Sequence, residues 1–163
     1  MVLTKEILDN LVEQAKVNPR LRQNMDLRTQ STCPDAGHGD ASQRMLNAIE
    51  PGSVVPVHRH PQSTETVTVL RGAVRQSLYE EVHNRVRPLC AISLPKAPES
   101  DGVVCERSLK LVDQFIVEAG SSCPMYIVPA GTWHTTEALV SGTIIFEAKD
   151  GKYSEDGSES WEW

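Results

Sequence analysis

At 163 residues the chain is long enough for one domain with a real core and too short for two ordinary ones. Its formal charge of −6 works against a nucleic-acid partner, because phosphate binding calls for a basic surface. No apolar h-region opens the chain and no stretch approaches the length of a transmembrane helix, so the expectation is a cytoplasmic protein with no membrane partner.

Leu3, Ile7, Leu8, Leu11 and Ala15 recur at helical spacing, which predicts an amphipathic helix over Thr4–Lys16, with Thr4 as its N-cap and Asn18-Pro19 as its stop. Its expected role is packing, on the rest of the fold or on a partner subunit. A short strand is expected over Asn24–Leu27 and a loop over Ser31–Gly39, where His38 lies between two glycines and reads as solvated. Ser42–Ile49 alternates as a strand that carries Arg44 and Asn47.

The chemistry concentrates in Gly52–Gly72. His58 and His60 are two residues apart, and in an extended strand such residues share a face, so both imidazoles can converge on one point. Pro61-Gln62-Ser63-Thr64 reads as a turn, after which Glu65 opens the β-rich run Thr66–Leu70, closed by Arg71-Gly72. Two imidazoles and a carboxylate on neighbouring strands suit a divalent metal.

Downstream, Ala73–Tyr79 reads as a strand, Glu80–Arg85 as a charged turn in which His83 has no ligand role, and residues 88–102, with Pro88, Pro95 and Pro98, as an insertion-like loop. Val103–Val112 and Gln114–Glu118 read as two strands, and Met125–Val128 as another. The turn Pro129-Ala130-Gly131-Thr132 then leads into the strand Thr132–Leu139, with His134 near its start as the fourth candidate metal ligand. Alternation points Trp133 to the opposite face from His134. Gly142–Ala148 is an apolar last strand. From Ser154 the tail is acidic, and Trp161 and Trp163 dispose it to fold back on the domain or on a neighbour. Cys33, Cys90, Cys105 and Cys123 are too widely spaced for a zinc knuckle; free thiols are expected, with a Cys90–Cys105 bridge across a hairpin as the alternative. One helix among many short β-rich runs indicates an all-β barrel or sandwich.

Gly52, His58, His60, Glu65 and Gly72 match every defined position of the first cupin motif, G-x5-H-x-H-x3–4-E-x6-G, and Pro129, Gly131 and His134 match P-x-G-x2-H of the second. Two positions depart: Gly120 precedes Pro129 by nine residues instead of six, and Ala138 stands where the second motif usually has Asn. Around these motifs, Asn18-Pro-Arg, Gln43–Gly52, His58–Pro61, Val69–Gly72, Pro129–Thr135 and Phe146–Tyr153 resemble the WbuC family of cupin-fold metalloproteins over residues 1–153.

The resemblance implies a cupin double-stranded β-helix, a jelly-roll barrel with a short N-terminal helix. The helix and lead-in strand would occupy residues 1–30, the barrel 31–153 and the acidic tail 154–163. It implies one divalent metal ion (Fe, Zn, Mn or Ni) on His58, His60, Glu65 and His134, a homodimer, and a small sugar-derived ligand in bacterial O-antigen and surface-polysaccharide metabolism. The expected activity is that of a metal-dependent isomerase or epimerase of a sugar or nucleotide sugar; the alternatives are a ferrous-iron dioxygenase and a non-catalytic sugar-binding module. Arg44, in the segment before the metal strand, is the candidate for an anionic substrate group, because guanidinium suits carboxylate and phosphate. Glu147 and Tyr126 are the candidate acid–base residues. No G-x-G-x-x-G, P-loop, G-x-S-x-G or H-E-x-x-H pattern is present.

Overall fold

The computed structural model of the chain describes residues 2–28, 42–86, 104–150 and 157–162. Helix α1 (Lys5–Val17) starts where expected: the Thr4 side chain accepts from the Ile7 amide, and extended backbone at Asn18 ends it while the Asn18 N–H returns to the Gln14 and Ala15 carbonyls. The strands are β1 (Arg22–Asp26), β2 (Ser42–Ile49), β3 (His58–Arg59), β4 (Glu65–Arg71), β5 (Ala73–Val86), β6 (Val104–Glu118), β7 (Met125–Val128), β8 (Trp133–Ala138), β9 (Thr143–Asp150) and β10 (Glu159–Ser160). They form two five-stranded sheets, ordered β1-β2-β9-β4-β7 and β10-β3-β8-β5-β6, with antiparallel pairing throughout. The fold class is all-β, a jelly-roll barrel with one N-terminal helix.

Period-2 alternation decides what each strand buries. Ile49, Val67, Val69, Tyr126, Val128 and Ile145 from the first sheet meet Val74, Val117 and Ala138 from the second, and Phe115 packs against them. On the opposite face of the first sheet, Leu46, Ala48 and Ile144 receive Leu11, Val12 and Ala15 of α1. The outer end of α1 is tied to β4 by Arg71, which donates to Asp9 at 2.8 Å. Between β4 and β5 the chain reverses at Gly72, whose φ is +75°; a Cβ there would stand 3.0 Å from the Thr143 Cα.

Two expectations are corrected. The charged run 80–85 is no turn: β5 passes straight through it, paired with β6 from Ala73↔Glu118 to Val86↔Val104. The expected strands over Val103–Val112 and Gln114–Glu118 are one strand, β6. Its register shifts between Leu78↔Asp113 and Tyr79↔Leu111, which leaves Val112 as the extra residue of a β-bulge. The bulge resets the alternation, so Leu109 packs with the outer cluster around Trp133 while Phe115 and Val117 face the core. The loop with His38, the 88–102 stretch, Cys33 and Cys90 lie outside the described residues, and with them the Cys90–Cys105 alternative; Cys123 is a free, exposed thiol.

Candidate metal centre

The two sheets bring the four motif side chains to one end of the barrel interior. His58 on β3 lies directly across from His134 on β8, and Glu65 on β4 lies in one row with Lys149 on β9 and Val128 on β7. One donor atom from each of His58, His60, Glu65 and His134 falls within 4.8 Å of the others, with His58 half-buried and the other three buried.

Each imidazole is held in the same way. Nδ1 of His58 donates to the Pro56 carbonyl at 2.9 Å, Nδ1 of His60 to the Gly157 carbonyl at 3.1 Å and Nδ1 of His134 to the Thr132 carbonyl at 2.9 Å. A carbonyl only accepts, so each Nδ1 carries a proton and Nε2 is the ring atom left to meet other partners. Two of these Nε2 atoms meet a carboxylate: Glu65 Oε2 is 3.2 Å from His134 Nε2 and 3.4 Å from His60 Nε2. An Nε2 that carries a proton donates to this carboxylate, and one that does not calls for positive charge beside it. The Lys149 ammonium supplies part of it, 3.1 Å from His60 Nε2 and 4.0 Å from Glu65 Oε1.

A divalent ion fits the same donors. Two ligand atoms each about 2.1 Å from a common ion stand about 3.0 Å apart at a right angle and about 4.2 Å apart when opposite, close to the separations found here. Burial first, and the neighbouring His134 next, push His58 down to about 4, so it is neutral and ligand-ready at neutral pH. Burial works to raise the Glu65 carboxyl, yet the contacts from His134 and His60 and the Lys149 charge outweigh it and hold the group well below the usual carboxylate range. Three imidazoles and one carboxylate make this a site for one divalent metal cofactor, with the choice among metals left to geometry and supply.

A cavity of about 350 Å³ opens onto the cluster. His58, His60, Glu147 and Lys149 line it on the metal side, and Gln43, Met45, Asn47 and Ile49 form the β2 wall. Burial first, and the Glu65 charge next, push the Glu147 carboxyl up to about 8. The candidate Glu147 thus reaches the cavity. Tyr126 does not line it. Tyr126 belongs to the core, where its hydroxyl donates to Gln76 Oε1 at 2.9 Å, and burial drives its phenol well above the usual range. Arg44 stands one residue out of phase with the cavity wall, on the face where its neighbours Leu46 and Ala48 meet α1; the β2 side chains that reach the cavity are Gln43, Met45, Asn47 and Ile49.

Trp133 points away from His134, as alternation requires, into an outer cluster with Val57 and Trp161. Trp161 brings the tail back: its ring meets Trp133 edge-on at 5.2 Å, its N–H donates to the Val57 carbonyl at 2.8 Å, and β10 pairs with β3. The same segment supplies the Gly157 carbonyl to His60 and places Ser158 and Ser160 in the cavity wall. Sequence reasoning missed Lys149, Arg22 and the Gly157 contact to His60, though Trp161 and Trp163 signalled that the tail folds back. For Lys149 a signal existed, since Glu147 and Lys149 are i and i+2 on one strand; for the Gly157 carbonyl none did.

The family model described as "Domain of unknown function (DUF6016)" matches residues 3–88, just over half of the chain. No curated protein matches the sequence. Among solved structures, an oxalate oxidase in complex with the substrate analogue glycolate is similar at a TM-score of 0.55 and 15% identity, over 89% of this chain and 57% of that one. The oxalate decarboxylase from Bacillus subtilis at pH 4.6 is similar at a TM-score of 0.50 and 15% identity, over 85% of this chain and 27% of that one. The chain thus spans little more than half the length of the first and about a quarter of the second. Likeness at this identity shows the shared fold, the cupin barrel.

Proposed function

We propose that this chain, which belongs to the DUF6016 family of domains of unknown function, is a metal-dependent cupin protein whose His58, His60, Glu65 and His134 hold one divalent ion and whose cavity takes a sugar or nucleotide-sugar derivative. The observation that carries the reading is the shared anchoring of the rings: three imidazoles each commit Nδ1–H to a backbone carbonyl, and His60 and His134 turn Nε2 toward the buried Glu65 carboxylate. Outer contacts of this kind orient metal-binding histidines. The WbuC-like runs support a setting in bacterial surface-polysaccharide metabolism. The amides of Asn24, Gln43 and Asn47 and the hydroxyls of Ser158 and Ser160 in the cavity support a hydroxylated ligand, since together they donate and accept.

When bound, the metal supplies Lewis acidity to a carbonyl or hydroxyl oxygen of the ligand. Glu147, kept protonated by burial, holds a proton at its carboxyl oxygen on the cavity wall, and Lys149 beside it presents a positive charge to an oxygen that gains negative charge. This pairing favours an isomerase or epimerase. The exposed Ile116, Met125 and Ile127 support a homodimer, and the setting we assign is cytoplasmic.

Elemental analysis of untagged protein tests the reading, with a His58→Ala/His134→Ala double variant beside the wild type. About one metal per chain in the wild type and little in the variant is the expected result. If both are metal-free after metal-supplemented growth, the reading fails. Dioxygen uptake that tracks iron content would move the function to a dioxygenase, and ligand-induced stabilisation without turnover to a binding module.

A further inference from the structure

The cavity is longer than a metal site needs. Along β2, Gln43 lies across from Lys149, in the row of Glu65, while Ile49 lies across from Arg22 on β1. Six residues of strand at about 3.3 Å each separate those two rows by roughly 20 Å, and the reach of the side chains leaves a gap on the order of 10 Å. Arg22 lines the far end of the cavity, half-buried. Among the described residues its only side-chain hydrogen bond runs from Nη1 to the Val54 carbonyl at 2.6 Å, and no carboxylate there is within ion-pair reach. Burial first and the neighbouring Arg20 guanidinium next both lower its proton affinity. A half-buried guanidinium on a cavity wall, under like-charge pressure and with one side-chain hydrogen bond among the described residues, is suited to a carboxylate or phosphate. Asn24, Asn47, Gln43, Ser158 and Ser160 provide neutral hydrogen-bonding groups in the same cavity.

We propose that Arg22 is the anion anchor of this cavity, so that the ligand is an extended, hydroxylated molecule of about hexose length with a terminal carboxylate or phosphate. The inference rests on the metal-dependent reading above and names its ligand class. A two-carbon acid such as glycolate is too short to serve both ends, because at about 1.5 Å per bond it spans under about 5 Å. The anion role expected of Arg44 passes to Arg22, which approaches the cavity from the neighbouring strand.

The test is calorimetric titration of the metal-loaded protein with glucose, glucuronate, glucose 6-phosphate and glycolate, in wild type, Arg22→Met and Arg22→Lys. Glucuronate or glucose 6-phosphate is expected to bind wild type about 10- to 100-fold more tightly than glucose, as a charge-assisted pair implies. Arg22→Met should erase that advantage and leave glucose affinity unchanged, which also shows the cavity intact; Arg22→Lys should restore part of it. Whichever acid responds identifies the anion. Equal binding of glucose and both acids, no loss in Arg22→Met, glycolate as tight as the acids, or no binding by any probe would overturn the proposal. The two readings fail separately. Metal-free wild type that still shows Arg22-dependent acid binding removes the metal reading alone, and fully loaded protein whose acid binding ignores Arg22 removes this one alone.

Discussion

Replacing Trp161 with alanine asks whether the C-terminal segment orders the metal centre. Trp161 is 9% exposed, its ring packs edge-on against Trp133, and the Arg107 guanidinium lies 4.9 Å over its face. Truncating a tryptophan buried to this degree costs about 3–5 kcal/mol. What remains to hold residues 157–162 is small. The two-residue bridge to β3 and the Trp161 N–H bond to Val57 contribute about 1 kcal/mol per hydrogen bond. The partly exposed Arg59–Glu159 pair adds under about 1 kcal/mol. The segment should therefore leave the barrel while the barrel stays folded, a local opening rather than a global one. His60 then loses the Gly157 carbonyl that fixes its tautomer, and loss of such an outer contact lowers metal affinity about 10- to 100-fold. Hydrogen exchange over residues 157–162, together with Zn²⁺ titration against a chromophoric chelator, reads both effects. Glu159→Ala is the control and should change affinity by no more than about threefold, since it removes only the exposed pair. Wild-type exchange protection and wild-type affinity in Trp161→Ala would refute the reasoning.

Three further outcomes are expected. Tyr126→Phe should leave metal content and ligand binding unchanged and lower stability by about 0.5–1.5 kcal/mol in urea denaturation, because among the described residues its hydroxyl bonds only Gln76 and Thr136; loss of ligand binding would return Tyr126 to the site. Gly72→Ala should cost about 2–5 kcal/mol, combining left-handed backbone with a clash on Thr143, whereas Gly131→Ala, at φ +78° with nothing within 4 Å, should cost about 1–2 kcal/mol; equal losses in chemical denaturation would contradict this. Hydrogen bonds from Lys5 and then Arg71 hold the Asp9 carboxyl below its usual range. A depressed folded-state value means that its stabilisation is present above the ordinary aspartate value of 3.8 and is lost as pH falls through the lowered one. The melting temperature of Asp9→Asn should accordingly lie below wild type at pH 7, with the gap closing at acid pH; a gap that persists in acid would count against the pairing.

Much of the site was legible because its spacing is local. His58 and His60 share a face by strand geometry alone, Glu65 follows within one turn, and Gly72 stands where only a residue without Cβ clears Thr143. The Thr4 cap, the Asn18 stop and the outward face of Trp133 follow from a few neighbouring residues as well. Arg44 shows where such reading ends. Period 2 told that Arg44 and Gln43 point to opposite sides of β2, but which side is the cavity depends on pairing with β9, about a hundred residues later, where Gln43 meets Lys149. The bulge at Val112 hid in the same way, because an extra residue in β6 is defined only against β5. Lys149 at the metal donors, Arg22 at the far end of the cavity and the Gly157 carbonyl on His60 are all contacts between distant parts of the chain. The sequence by itself determined the ligand set and the alternation of the strands, since both are encoded within a few residues. Only the tertiary structure decided which alternate faces line the cavity and what surrounds the metal donors, because these depend on strand order and register, which local periodicity does not contain.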